Sequence, residues 1–145
     1  MVRMNRVLRA ALVGVLGLAV FLLVGCTKPV EVAGTWAGLL TWGEGEPLEG
    51  LTTPIRLTLV QDEAALSGEV GLVVGQNPLP LTIIAGEVRG NSLEIDAEGT
   101  LDAYPPPVEV RIHLEGTSDG TQISGTGSET IGGVVHRFDW QVRPG

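Results

Sequence analysis

Cysteine and basic residues are scarce in this chain, and several catalytic motifs are missing. Its single cysteine cannot form an intramolecular disulfide, so an apolar core alone must hold the fold. The chain has 9 basic residues against 17 acidic ones, and a net charge of −8 repels nucleic-acid phosphates. No His-Glu-X-X-His motif and no phosphate-binding loop are present. We therefore expect a protein that is not an enzyme, carries no cofactor and does not bind nucleic acid.

Arg3, Arg6 and Arg9 precede an apolar segment at residues 10–24. A basic start, an apolar centre and a small residue before the cut are typical of a secretory signal. Leu23-Val24-Gly25-Cys26 resembles the lipobox of bacterial lipoproteins. The resemblance implies that residues 1–25 are removed and that Cys26 is the lipid-attachment residue, carrying acyl chains such as palmitate. An uncleaved anchor helix or an ordinary secretion signal is the alternative, although a spanning helix needs roughly 20 apolar residues.

Cleavage leaves 120 residues, enough for one domain, with a predicted lipidated tether at 26–31 and a domain at 32–145. Loss of the three arginines leaves six basic residues against 17 acidic ones, a net charge of −11. Acyl chains hold a protein to a membrane by about 0.8 kcal/mol per buried CH₂. We expect a domain outside the cytoplasm, anchored to the bacterial cell envelope. Thr27 is not the Asp of inner-membrane retention, which favours the outer membrane where there is one.

Apolar and polar residues alternate with period two along most of the remaining chain, which predicts strands and no helix. Leu93, Ile95 and Ala97, for example, are separated by acidic residues. Asp119-Gly120 predicts a two-residue hairpin turn. The predicted strands are 31–42, 55–61, 66–74, 79–89, 93–98, 108–115, 121–130 and 134–142.

Short connections keep sequential strands adjacent and antiparallel. Eight strands with one apolar face can bury that face by closing into an up-and-down barrel, which also removes the exposed edges. The predicted fold is therefore an all-β, eight-stranded antiparallel barrel, with a two-layer β-sandwich as the alternative. A membrane-spanning barrel is a weaker alternative, because it turns the apolar set toward lipid and fills the lumen with charges.

Gly34-Thr35-Trp36 lies on the first predicted strand. It resembles the opening motif of the calycins, which include lipocalins, fatty-acid-binding proteins and avidins. The resemblance implies a barrel with Trp36 at one end, a basic residue (Arg143, or else Arg137) packed over it, and a lid formed by the loop 43–54. Ala37 stands where avidins have an aromatic residue, so no biotin site is carried over.

Aromatic residues are concentrated on the first and last predicted strands, which are neighbours if the barrel closes. Their inward positions predict one aromatic wall, with all three tryptophans on it. Alternation turns one ionisable group inward, His136, while His113 faces outward on another strand, so no metal site is predicted. The predicted ligand-binding residues are Trp36, Trp42, His136, Phe138 and Trp140.

Two functions follow from these expectations. The first is a cell-envelope lipoprotein, held to the membrane through Cys26, whose soluble barrel binds a small apolar ligand or lipid as calycins do. The alternative is a structural or protein-interaction lipoprotein, including an envelope inhibitor of proteases, with a filled barrel and no ligand. The volume of the barrel interior distinguishes the two, because only the first needs a cavity.

Overall fold

The computed structural model describes residues 28–74, 76–102 and 105–145. The predicted signal peptide and Cys26 lie outside the described residues. Across these three ranges the regular secondary structure is β-strand throughout. None of the chain covered there forms a helix long and apolar enough to cross a membrane. The strands are β1 (Gly34–Trp42), β2 (Thr52–Asp62), β3 (Ala65–Val74), β4 (Asn77–Arg89), β5 (Ser92–Leu101), β6 (Val108–Ser118), β7 (Ile123–Ile131) and β8 (Val134–Pro144).

Each strand pairs antiparallel with the next one in sequence, and β8 pairs with β1. The predicted closed, up-and-down barrel of eight strands is therefore confirmed, and the β-sandwich alternative is wrong. Closure gives every strand a partner on both sides and leaves no open sheet edge. The β1–β8 register sets Leu40 opposite Trp140 and Trp42 opposite Phe138. The first and last strands are thus neighbours, as the aromatic wall requires.

The alternation read from the sequence separates the barrel interior from its surface. On β6, Val110, Ile112 and Leu114 are buried, whereas Glu109 and Arg111 between them are exposed. Successive side chains of a strand point to opposite faces, so one apolar face per strand builds a single core. The core holds the apolar residues that a membrane-spanning barrel turns toward lipid, and that alternative is therefore wrong.

One end of the barrel is closed by the chain that leads into β1. Val32 is fully buried, and its carbonyl accepts a hydrogen bond of 2.9 Å from the indole Nε1 of Trp36. Gln61 holds this segment from both sides, since its Oε1 accepts from Val32 N and its Nε2 donates to Val30 O. Val30 N also donates to the carbonyl of Gly90 at 2.7 Å. We call this the closed end.

Neither Arg143 nor Arg137 packs over Trp36, and the expectation taken from the calycins is wrong in that detail. Strand alternation buries Val142 and exposes Arg143, whose Nη2 donates to Gln122 on the outer surface at 3.3 Å. Arg137 lies toward the opposite end of β8, where β1 ends at Trp42. Val32 provides the polar partner of the Trp36 indole instead.

The connection between β6 and β7 is longer than predicted. Ser118 and Ile123 form the last pair, so four residues, 119–122, make the loop. The Asp119 carboxylate accepts hydrogen bonds from Thr121 N, Thr121 Oγ1 and Gln122 N, at 2.8 to 2.9 Å. The two-residue turn predicted from Asp119-Gly120 is wrong, because an Asp side chain that binds the backbone ahead of it stabilises a wider loop.

Glycines on β6 and β7 make room for the large aromatic residues of β8 inside the barrel. A Cβ added at Gly127 would meet the Phe138 ring at 2.6 Å and the carbonyl oxygen of His113 at 2.7 Å. A Cβ at Gly116 would meet the Trp140 ring at 2.8 Å. An eight-stranded barrel is just wide enough for side chains to fill, so bulk on one strand requires glycine on its neighbours.

Gly127→Ala should lower the free energy of unfolding by about 1 to 3 kcal/mol, because the new methyl group overpacks the interior against Phe138 and a backbone carbonyl. Gly71→Ala is the matched control, since its Cβ would make only ordinary contacts of 3.8 Å with Arg56. Urea unfolding of residues 27–145, followed by circular dichroism, measures both. Equal stability of the two variants would contradict the packing described here.

Candidate functional site

A cavity of about 280 Å³ lies at the end of the barrel opposite to Val32. We call this the open end. Here β1 stops at Trp42, and the loop 43–51 crosses the barrel mouth before β2 begins. The lining is mostly apolar and comes from the inward face of the strands and from the loop: Leu40, Trp42, Pro47, Leu48, Leu72, Val73 and Ile131, with the polar side chains Glu46, Thr53, Glu129 and His136.

The loop 43–51 is fastened to β8 by Glu46. One carboxylate oxygen pairs with His136 Nδ1 at 2.8 Å, and the other accepts from the backbone N of Arg137, also at 2.8 Å. These two hydrogen bonds hold the pKa of Glu46 below its ordinary value of 4.5, and the bond from Arg137 N has the larger effect. An ionised carboxylate can only accept, so Nδ1 of His136 carries the hydrogen in this pair. The loop predicted at 43–54 is thus present but shorter, because residues 52–54 belong to β2, and the bonds of Glu46 hold it against the start of β8.

Trp42 forms the aromatic wall of the cavity. Its indole Nε1 donates to Thr53 Oγ1 at 3.1 Å, which satisfies the one polar atom of the ring. Its ring meets Phe138 edge to face, with centroids 5.7 Å apart, and meets His136 in the same way at 6.3 Å. Edge-to-face contacts of this kind fix ring orientation as well as burying surface. The wall is therefore rigid.

Glu129 is the residue that the sequence analysis missed. It is 3% exposed, lines the cavity, and stands opposite His136 in the β7–β8 register. The expectation that His136 is the one ionisable group turned inward is therefore wrong. Period-two alternation along β7 does predict an inward Glu129, because Ile123, Glu129 and Ile131 share one face of the strand. The two inward positions between Ile123 and Glu129 are glycines, so this face of β7 lacks the run of apolar side chains that marks an inward face.

The Glu129 carboxyl is open to the cavity, since no fully enclosed side-chain oxygen of the described residues lacks a hydrogen-bond partner. No hydrogen bond joins it to any residue of the three described ranges, and His136 is not within the 4.0 Å of an ion pair. Burial raises the pKa of Glu129 above its ordinary value of 4.5, and the charge of His136 offsets this only in part. Removing an ionised carboxylate from water without a partner is unfavourable. Burial thus disfavours the ionised form of Glu129, and the side chain places an acid inside the cavity.

The five residues predicted to bind ligand divide into two groups. Trp42 and His136 line the cavity. Trp36 lies near the closed end, Phe138 is buried below Trp42, and Trp140 is buried with its Nε1 donating to Thr126 O at 2.9 Å. The structure brings the five onto adjacent strands but places them at different heights, and only the two nearest the open end reach the cavity.

Glu94, His113 and Glu115 form a cluster on the outer face of β5 and β6. In the described part of the chain, it is the one group of side chains whose possible ligand atoms lie close enough together to hold a metal ion. His113 Nε2 lies 3.1 Å from Glu115 and 3.7 Å from Glu94, and Nδ1 lies 2.7 Å from Asp96. Burial disfavours the charged imidazole, but the bonds to Asp96 and Glu115 outweigh it and raise the pKa of His113 above 6.5. These carboxylates bind the imidazolium itself, which accounts for the cluster without a metal.

Gly116-Thr117-Ser118-Asp119-Gly120 has the Gly-X-Ser-X-Gly spacing of hydrolase nucleophiles. That motif works at a strand-to-helix turn, whereas Ser118 ends β6 at a hairpin. The Ser118 side chain is buried at the closed end, and its Oγ accepts a hydrogen bond from Gly120 N at 3.2 Å. His136 lies at the open end and His113 on the outer face. Neither is placed to serve as the base for Ser118.

Glu129→Gln should raise the free energy of unfolding at pH 7 by about 1 to 2 kcal/mol, because it removes a buried charge without a partner. The folded pKa of Glu129 is raised, so the wild-type penalty is absent below pH 4.5 and grows as the pH rises through the folded pKa. Urea unfolding of both proteins at pH 4 and pH 7 measures this. A stability difference that is the same at both pH values would show that Glu129 pays no burial penalty.

No family model, curated protein or solved structure matches this chain. The calycin resemblance therefore rests on Gly34-Thr35-Trp36 and on the closed barrel of eight strands. Function has to be inferred from the chemistry of the open end.

Proposed function

We propose that this chain is a lipid-anchored protein of the bacterial cell envelope whose barrel binds one small apolar molecule at its open end. The observation that carries the binding role is the mostly apolar cavity of about 280 Å³ beneath a fastened loop. Ligand pockets typically measure roughly 300 to 1,000 Å³. At about 280 Å³ this cavity lies just below that range, which limits its ligand to a small molecule or one short acyl chain. The interior toward the closed end is filled by side chains, which confines the ligand to the part of the barrel near the open end.

Lipid anchoring is supported by the resemblance of Leu23-Val24-Gly25-Cys26 to the lipobox. Val30 is already hydrogen bonded to Gly90 at the closed end, so three residues, 27–29, separate Cys26 from the barrel. Three extended residues reach roughly 10 Å. With so short a tether the closed end faces the membrane and the open end faces the aqueous side. Ligand is then exchanged with the aqueous compartment.

An interaction role, including inhibition of an envelope protease, is the second candidate. Leu48, Leu51, Val134 and Val135 are each about half exposed, and all four lie on the loop 43–51 or at the start of β8. Glu46 joins these two segments at the mouth. Apolar side chains gathered at a surface are typical of a contact for another protein. This role does not use the cavity, and it therefore predicts that filling the cavity leaves the binding of a partner protein unchanged.

The neutral dye N-phenyl-1-naphthylamine should bind residues 27–145 with a rise in dye fluorescence, because the cavity is apolar and sheltered from water. Ile131→Phe should weaken binding at least tenfold by filling the cavity. Val60→Phe is the matched control, since it adds the same ring on the outer surface, where Val60 is 59% exposed. Equal binding by the two variants, or no binding by the wild type, would contradict the ligand role.

Cys26→Ser should abolish acylation of the full chain produced in a bacterium, because serine offers no thiol for the diacylglycerol. Mass spectrometry of the wild type should show a mature amino terminus at Cys26 that carries acyl chains. Thr27→Ser is the control, since it alters the neighbouring residue and keeps the thiol. A wild-type protein with an unmodified thiol at position 26 would end the lipoprotein proposal.

A further inference from the structure

Glu129 is the one charged side chain buried in the part of the barrel that the structure describes. The other buried polar residue, Ser118, lies at the closed end and has a backbone partner in Gly120. Glu129 has no partner among the residues that the structure describes, and its side chain lines the cavity. A buried carboxyl that lacks a protein partner can gain one from a ligand that carries a hydrogen-bond donor or a positive charge.

The protein groups nearest to Glu129 do not pair with its carboxyl, so a ligand can do so. On β8, His136 faces Glu129 in register but uses its Nδ1 for Glu46. On β6, the partner of Glu129 is the apolar Ile112. The lining also contains Trp42 and Leu72, neither of which offers a charge. Glu46 is the second carboxyl of the lining, but its two oxygens are already bound by His136 Nδ1 and Arg137 N. A cation that enters therefore finds in Glu129 the carboxyl that lacks such partners, with an indole ring in the same lining to favour a positive charge.

The charge of the whole domain favours the same class of ligand. Residues 26–145 carry a net charge of −11, and the loop over the mouth contains Glu44, Glu46 and Glu49 with no lysine or arginine. Arg137 is the nearest basic residue to this mouth in the β8 sequence, and it points outward. Such a field concentrates cations at the entrance and repels anions such as fatty-acid carboxylates.

We propose that the cavity takes a small cationic amphiphile, with its ammonium group paired to Glu129 and its apolar body against Leu40, Leu72 and Ile131. This inference rests on the proposed ligand role and adds the chemical class of the ligand. When Glu129 is protonated in the free protein, pairing with the ammonium releases that proton to solvent. Affinity for an amine therefore increases as the pH rises through the pKa of Glu129, with His136 and Glu46 as the other titratable groups at the mouth.

Three ligands of one chain length, octylamine, octan-1-ol and octanoate, test the class by displacement of N-phenyl-1-naphthylamine from residues 27–145. We expect octylamine to bind at least tenfold more tightly than octan-1-ol at pH 7.5, and octanoate to bind most weakly. Glu129→Gln should remove the octylamine advantage and leave octan-1-ol within twofold of the wild type. Between pH 5 and pH 7.5 octylamine affinity should rise in the wild type and stay level in this variant.

Glu44→Gln is the matched control, because it removes the same charge from an exposed position of the mouth loop that does not line the cavity. It should leave the octylamine advantage intact. If Glu44→Gln reduces octylamine binding as much as Glu129→Gln, the general field and not pairing explains the preference, and the inference fails. If all three ligands bind alike in wild type and variant, the inference fails while the apolar-ligand role stands. If neither the dye nor any of the three binds, both fail.

Discussion

The pairing of β8 with β1 is the interaction on which the rest of the molecule depends. It completes the ladder around the barrel, so that every strand has a partner on both sides. It also sets Trp42 beside Phe138 and brings the loop that follows β1 against the start of β8. Glu46 can bridge to His136 across 90 positions of sequence only because the two chain regions meet there. The pairing of β8 with β1 thus assembles the residues of the open end.

The narrow interior decides how much of the barrel can serve a ligand. Over most of its length Leu, Ile and Val side chains fill the space, and glycines on β6 and β7 admit Phe138 and Trp140. Packing gives way only near the mouth, where Glu129 and His136 stand among apolar residues. A buried carboxyl without a partner lowers stability, and a binding site can retain such a group because a ligand stabilises it. The cavity is small because the core leaves little more room.

In the proposed function, anchoring and binding use opposite ends of the same barrel. Val32 closes one end and Gln61 fastens the chain that enters there, so a lipid on Cys26 would hold this end to the bilayer. In the proposed arrangement the ligand enters from the aqueous side, past acidic residues that select against anions. The two proposals are separable, because the cavity is complete without the anchor.

The sequence by itself determined the strands and their inward faces, because period-two alternation and short turns leave few other ways to bury one apolar face. It favoured the closed barrel over the sandwich, and the pairing of β8 with β1 in the structure decided between them. It also placed Trp42 and His136 inward and His113 outward. It did not reveal Glu129, whose inward neighbours along β7 are glycines, nor the exposed position of Arg143 or the four-residue loop at Asp119. Only the tertiary structure decided that the cavity lies at one end and holds an acid. Cavity volume and the lack of a partner depend on how side chains from several strands fill a shared space, and alternation within one strand carries no such information.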